Sequence, residues 1–213
     1  MAYTAPDLST LRSAVARDLR DPDLKTFTAQ ELNDLINLGV VEVGRVYSKQ
    51  DVQELTVESD GQQVYACDAI AIFRVELLKD SVIYYGVPQN ADETSGEGGW
   101  DLHGGNLYIP KTFASHLAVE NSPTVRVWGY WPRELFSEDT DVLDGDAETE
   151  FAVRTVATLN GYQRLQNDRL LFQQWLTNTG NSDVSPNQLA QTADLYQSQW
   201  REMRNRLRNI QRS

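Results

Sequence analysis

The sequence predicts an α+β fold: a four-helix bundle, with two N-terminal and two C-terminal helices, and an inserted small antiparallel β subdomain. Three observations carry this. Apolar residues recur at helical spacing near both ends of the chain. Between them the pattern changes to short extended runs broken by Asp-Gly, Gly-Gly and proline. A stretch rich in carboxylates and without a basic residue then leads into the C-terminal helices. The boundaries read as residues 1–50 for the N-terminal helical hairpin, 51–133 for the β subdomain, 134–150 for an acidic linker, and 151–213 for the C-terminal helical pair with a projecting basic end.

The first helix is carried by Leu8, Leu11, Val15 and Leu19, four aliphatic side chains on one stripe. Asp7 or Ser9 can cap its start. Arg20-Asp21-Pro22-Asp23 ends it, because proline lacks the N–H that a helix needs and pushes the preceding residue out of helical geometry. The second helix opens on Thr28-Ala29-Gln30-Glu31, a capping box, with Phe27 and Leu32 at the spacing of a hydrophobic staple. Leu32, Leu35, Ile36, Val40, Val43 and Val46 continue the apolar stripe to Tyr47. Gly39 lies on that stripe. A mid-helix glycine costs roughly 1 kcal/mol against alanine, so close approach of a neighbouring helix is the expected reason for it.

In the middle of the chain, Val52–Glu58 and Gln62–Ala66 flank Asp60-Gly61, which reads as a hairpin turn. Ala69–Leu78, Ser81–Val87 and Pro123–Trp131 read as further strands. Trp100–His103 and Asn106–Pro110 read as a second hairpin across Gly104-Gly105. Pro88–Gly99 is polar, acidic and rich in glycine, and is expected to be a flexible hairpin tip or interaction loop. It contains neither a dinucleotide fingerprint nor a phosphate-binding loop.

Glu134–Glu150 contains Glu134, Glu138, Asp139, Asp141, Asp144, Asp146, Glu148 and Glu150. Counting back from Gly145 puts Thr140 and Val142 where an EF-hand needs acidic ligands, so no calcium loop is expected. A hydrolase with paired carboxylates would need a pocket and a partner group that nothing nearby supplies. Asp146, Glu148 and Glu150 instead suit the N-terminus of the next helix.

That helix is predicted over Phe151–Thr177, with a broad apolar face that implies neighbours on more than one side. Ser185-Pro186-Asn187-Gln188 then starts the last helix, with a serine cap, proline at the first position and glutamine completing the box. Leu189, Ala193, Tyr196, Trp200, Met203, Leu207 and Ile210 form a narrow seam with steps of three and four. About 26 residues at roughly 1.5 Å each give about 39 Å, against about 28 Å for the second helix. Side by side, the basic end would project beyond the bundle. The simpler alternative is a seam that faces the chain's own core, with its arginines in solvent.

Composition narrows the function. Of 213 residues, 40% are hydrophobic and 23% charged, as in ordinary globular proteins. No apolar run is long enough to span a bilayer, so no membrane partner is expected. Met1-Ala2-Tyr3-Thr4-Ala5-Pro6 lacks the pattern of a signal peptide, and synthesis in the cytoplasm is expected. The lone Cys67 and the two histidines, His103 and His116, suggest no metal site, triad or cofactor. The net charge of −12 argues against sequence-specific DNA binding. From Trp200 onward, five arginines (Arg201, Arg204, Arg206, Arg208, Arg212) stand against Glu202 alone, so this end is +4 and the rest of the chain is −16. A basic end on an acidic body points to a specific acidic partner surface. Salt-dependent DNA binding by the arginine tail is the competing expectation.

Particular residues accompany this order of elements: Leu19-Arg20-Asp21-Pro22-Asp23, Phe27-Thr28-Ala29-Gln30-Glu31-Leu32, Leu35-Ile36-Asn37, Gly105-Asn106-Leu107-Tyr108-Ile109-Pro110 and Asp139-Thr140-Asp141-Val142-Leu143. Taken together they resemble the head-to-tail adaptor (connector) proteins of tailed bacteriophages, over nearly the whole chain. The resemblance implies a structural protein of the virion neck, not an enzyme. Such adaptors form a homo-oligomeric ring, usually of twelve copies, between the portal protein and a tail, stopper or nozzle protein. DNA passes through the lumen without sequence-specific binding. A smaller stopper or tail-terminator is the alternative within the neck. The resemblance also implies portal docking by the C-terminal segment, here Trp200, Arg201, Met203, Arg204, Leu207, Arg208, Ile210 and Arg212. Lumen or tail-interface loops would then carry Asp92, Glu93, Glu97, Asp139, Asp141, Asp144 and Asp146.

Overall fold

Local capping chemistry sets the helical ends of the chain. A computed structural model describes residues 3–79, 82–89, 99–119, 123–180 and 184–212. Among them are six helices and two antiparallel sheets, a mixed α+β chain. The chain divides into two units: Met1–Tyr47 with Arg133–Ser213, and Ser48–Pro132.

The first unit holds α1 (Leu8–Asp18), α2 (Ala29–Gly44), α4 (Ala147–Asn167), α5 (Arg169–Thr179) and α6 (Pro186–Arg212). Asp7 caps α1 by accepting from the Thr10 N–H at 2.7 Å. Thr28 and Glu31 form the full capping box on α2. Ser185 and Gln188 exchange bonds of 2.7 and 3.3 Å at the start of α6. The segment predicted as one helix over Phe151–Thr177 is two. Asp168 breaks it by taking extended dihedrals and accepting from the Leu170 and Leu171 N–H groups at 2.9 and 3.0 Å, so it ends α4 and caps α5 together.

α4 is the central helix. Ala152, Val153, Thr155, Val156, Ala157, Thr158 and Leu159 are successively buried apart from Arg154, so nearly every side of the helix has a neighbour. A Cβ added at Gly39 would lie 2.7 Å from the Val153 carbonyl oxygen, which is the close approach expected of that glycine. The end of α1 is held by its neighbours. Tyr162 Oη donates to the Asp18 carbonyl at 2.7 Å and the buried Trp175 Nε1 donates to the Leu19 carbonyl at 2.8 Å. Both bonds satisfy carbonyls that a helix end leaves without partners.

The second unit contains β1 (Lys49–Thr56), β2 (Val64–Ala66), β3 (Ala71–Lys79), β4 (Val82–Val87), β5 (Asp101–His103), β6 (Asn106–Tyr108), the short α3 (Lys111–Ala114) and β7 (Thr124–Trp131). The larger sheet runs β1-β7-β3-β4 and the smaller β2-β6-β5. Val75, Leu77, Val125, Val127, Leu107 and Ile109 share one core. Cys67 is buried in it, and burial pushes its thiol pKa up.

The two predicted hairpins part company. Gly104 and Gly105 have φ of 58° and 76°, and β5 pairs with β6 across them from His103↔Asn106. Two positive φ values are what a two-residue hairpin turn needs. At Asp60-Gly61 only the glycine is positive, at 67°. The flanking strands go to different sheets, β1 to β7 and β2 to β6. The turn is tied instead to the stretch before β7: Gly61 N–H donates to the Leu117 carbonyl at 2.9 Å, and Asp60 accepts from the Val119 N–H at 2.7 Å.

Candidate docking surfaces

The apolar seam of α6 faces its own unit. Leu189, Ala193 and Leu207 are 2%, 4% and 1% exposed, and Tyr196, Trp200 and Met203 pack on the same core. Arg206 pairs with Glu148 in the first turn of α4. The expected projection of the basic end is therefore corrected: the helix stays on the core through Leu207, because α4 runs alongside it for that distance. Trp200, Met203 and Leu207 serve as internal packing. What remains outward is Arg201, Arg208 and Ile210, the last 42% exposed, with Arg204 half-buried. Arg212 ends the helix, and its side chain lies outside the described residues.

Arg201, Arg204 and Arg208 are three and four residues apart, so they share one flank of α6. Among the described residues none of the three has a carboxylate within ion-pair distance, whereas Arg206 on the adjoining flank does. Arg204 Nε is shut off from solvent and has no hydrogen-bond acceptor.

The acidic stretch is not a free linker. Phe136 and Leu143 are buried in the helical core. Asn37 grips the Phe136 backbone twice, donating to its carbonyl at 3.0 Å and accepting from its N–H at 2.9 Å. Asp139 takes a two-pronged bond from Arg12 at 2.7 and 2.9 Å, which lowers its pKa and raises that of Arg12. Asp141 accepts from the Ser137 and Glu138 N–H groups at 2.7 and 2.8 Å, and these bonds hold its pKa down. Asp144 receives Arg133 on its carbonyl oxygen. Asp146 caps α4 through the Thr149 N–H at 2.8 Å; burial pushes its pKa up, but the Thr149 bonds outweigh this and the net shift is downward. Asp92, Glu93 and Glu97 lie outside the described residues.

With the acidic backbone pinned, two aliphatic side chains are held outward: Leu135 is 54% and Val142 60% exposed. Glu134 and Glu138 are exposed in the same segment, and neither is in an ion pair among the described residues. No protein-family model matches this chain, and no curated protein sequence matches it.

One surface was not anticipated. A half-open groove of about 760 Å³ runs between the end of α4, α5 and the start of α6, lined by Leu165, Phe172, Leu176 and Leu189 with Arg169 at its edge. Leu170 beside Arg169 is 73% exposed. The signal available in the sequence was Asp168, whose capping chemistry splits the apolar run and opens the space. Among the described residues, no group of three or more His, Cys, Asp or Glu side chains is placed to hold a metal ion, and no helix is long and apolar enough to cross a membrane.

Proposed function

We propose that this chain is a head-to-tail adaptor of a tailed bacteriophage. In this reading the helices at the two ends of the chain form a bundle that carries the inserted β subdomain. Copies assemble into a ring of the virion neck between the portal and a tail or stopper protein. The strongest support is the order of elements, in which a continuous stretch, Ser48–Pro132, interrupts a helical unit assembled from both ends of the chain. The chain's charge is compatible with a conduit: at −12 it repels phosphate and lets DNA slide without sticking. The end of α6, beyond the buried Leu207, makes the portal contact with Ile210 and Arg212.

Mixing the protein with its portal and imaging by negative stain tests this. A stacked ring is the expected result, and a portal that stays bare opposes the reading. Deleting residues 209–213 spares Leu207 and removes only the outer tip. Unchanged portal binding by that variant would remove the docking role from the end of α6 while leaving the ring reading intact.

A further inference from the structure

A ring requires each copy to present two unlike surfaces that fit one another. We propose that the basic flank of α6 in one copy docks on the acidic segment of the next, with Arg201, Arg204 and Arg208 meeting Glu134 and Glu138 around the exposed Leu135 and Val142. This rests on the adaptor reading and deepens it by naming the contact between copies.

Both sides of the contact have unmet chemistry. Arg201, Arg204 and Arg208 lack carboxylate partners among the described residues, in a chain with 31 acidic and 19 basic residues. Arg204 is half-buried, and its Nε is closed off without an acceptor, so the hydrogen bonds of this guanidinium are incomplete within one copy. On the other surface Glu134 and Glu138 have no cation among the described residues, and Leu135 and Val142 stand more than half exposed on a backbone that Asn37, Arg12 and Asp141 hold in place. A loop held in this way loses little conformational freedom on docking. The chain already pairs a residue of the basic helix with the acidic stretch at Arg206–Glu148, so the chemistry of the contact has an internal precedent. The net charge of −12 repels a polyanion and a second copy alike at long range, so the choice rests on short range, where the acidic segment of a copy also offers Leu135 and Val142 and a phosphate backbone offers no apolar surface. The two surfaces differ, so each copy can use both at once. The tip of α6 lies beyond this flank in the sequence, so the portal contact and the contact between copies use different residues.

Paired charge reversals test the proposal on the full chain by sedimentation velocity over a range of salt. The wild type should self-associate at millimolar concentration and low salt, and weaken as salt rises. R204E/R208E and E134K/E138K should each lose association by about tenfold or more. An equimolar mixture of the two variants should recover it, since every contact then joins unlike charges. A strictly monomeric wild type, single variants that associate as the wild type does, or a mixture that fails to recover would overturn the proposal. Imaging each variant with the portal separates this from the adaptor reading: intact rings from R204E/R208E would sink the contact and leave the adaptor standing. Recovery in the mixture, with no portal binding by the wild type, would do the reverse. Binding of a short DNA duplex that R204E/R208E abolishes, without self-association, would assign the flank to nucleic acid instead.

Discussion

Asp21 does more than end a helix. Its side chain is 1% exposed, and its carboxylate accepts from the N–H groups of Lys25, Thr26 and Phe27 at 2.9, 2.9 and 2.8 Å. It thereby shapes the turn that delivers Phe27 to the core and Thr28 to its capping position. Replacing it with asparagine leaves one acceptor oxygen for three donors, and a buried N–H without a partner costs about 1–3 kcal/mol. Asp21→Asn should therefore lower stability by roughly 2 kcal/mol in urea unfolding, with the slope of the transition unchanged. A variant as stable as the wild type would mean that water reaches those amides. The sequence identifies Asp21 only as part of a helix stop. Its three acceptor bonds depend on a turn in which Arg20 and Leu24 take φ of 57° and 54°, unusual values that residue type does not announce.

Among the elements, the contact of α2 with α4 sets the spacing of the helical unit. Two effects of Gly39→Ala oppose each other. The helix gains about 1 kcal/mol in propensity. The new methyl would sit 2.7 Å from a backbone oxygen of α4, which cannot swing aside as a side-chain end could. Overpacking of this kind costs about 1–3 kcal/mol, so a net loss of stability is expected in thermal unfolding; a gain would show that the two helices can part at no cost. The starts of α2 and α6 were legible because capping is local: Thr28 with Glu31 and Ser185 with Gln188 lie three residues apart and need nothing else. The hairpin at Gly104-Gly105 was legible for the same reason. Pairing of β1 with β7 was not, because Thr56↔Thr124 joins residues far apart in sequence and no local signal records it. The pinning of the acidic stretch was hidden likewise. Charge density reads as solvation, but Arg12 and Asn37, more than ninety residues away, turn that stretch into packed structure.

For the whole molecule, carboxylates make stability depend on acid. Asp7, Glu31, Asp51, Asp139, Asp141 and Asp146 all have pKa values lowered in the folded chain. For Glu31, burial pushes upward, but the Thr28 N–H and hydroxyl and the nearby Arg164 pull further downward from the ordinary 4.5. A lowered carboxylate contributes its full stabilisation above the ordinary value and loses it as pH falls through the folded one. Protonation also relieves the self-repulsion of a chain at −12, which works the other way. That relief comes from carboxylates spread over the surface, whereas the lost bonds cap α1, α2 and α4 directly. The melting temperature should therefore hold from neutral pH down to about 5 and fall steeply below about 4. A flat profile down to pH 3 would show that the capping carboxylates contribute little.

Arg133 links the ends of the helical unit at the place where the chain leaves it and returns. Its Nε donates to the Tyr47 carbonyl at 2.9 Å, its guanidinium lies 5.2 Å from the Tyr47 ring centre, and its Nη1 reaches the Asp144 carbonyl. The exit after Tyr47 and the re-entry at Arg133 are thus fastened side by side within the helical unit itself. A segment whose two ends meet in this way can lengthen, shrink or be exchanged without displacing the helices that frame it. Arg133 makes the position between Tyr47 and itself a socket, into which evolution can fit different inserted segments while the helical frame is kept.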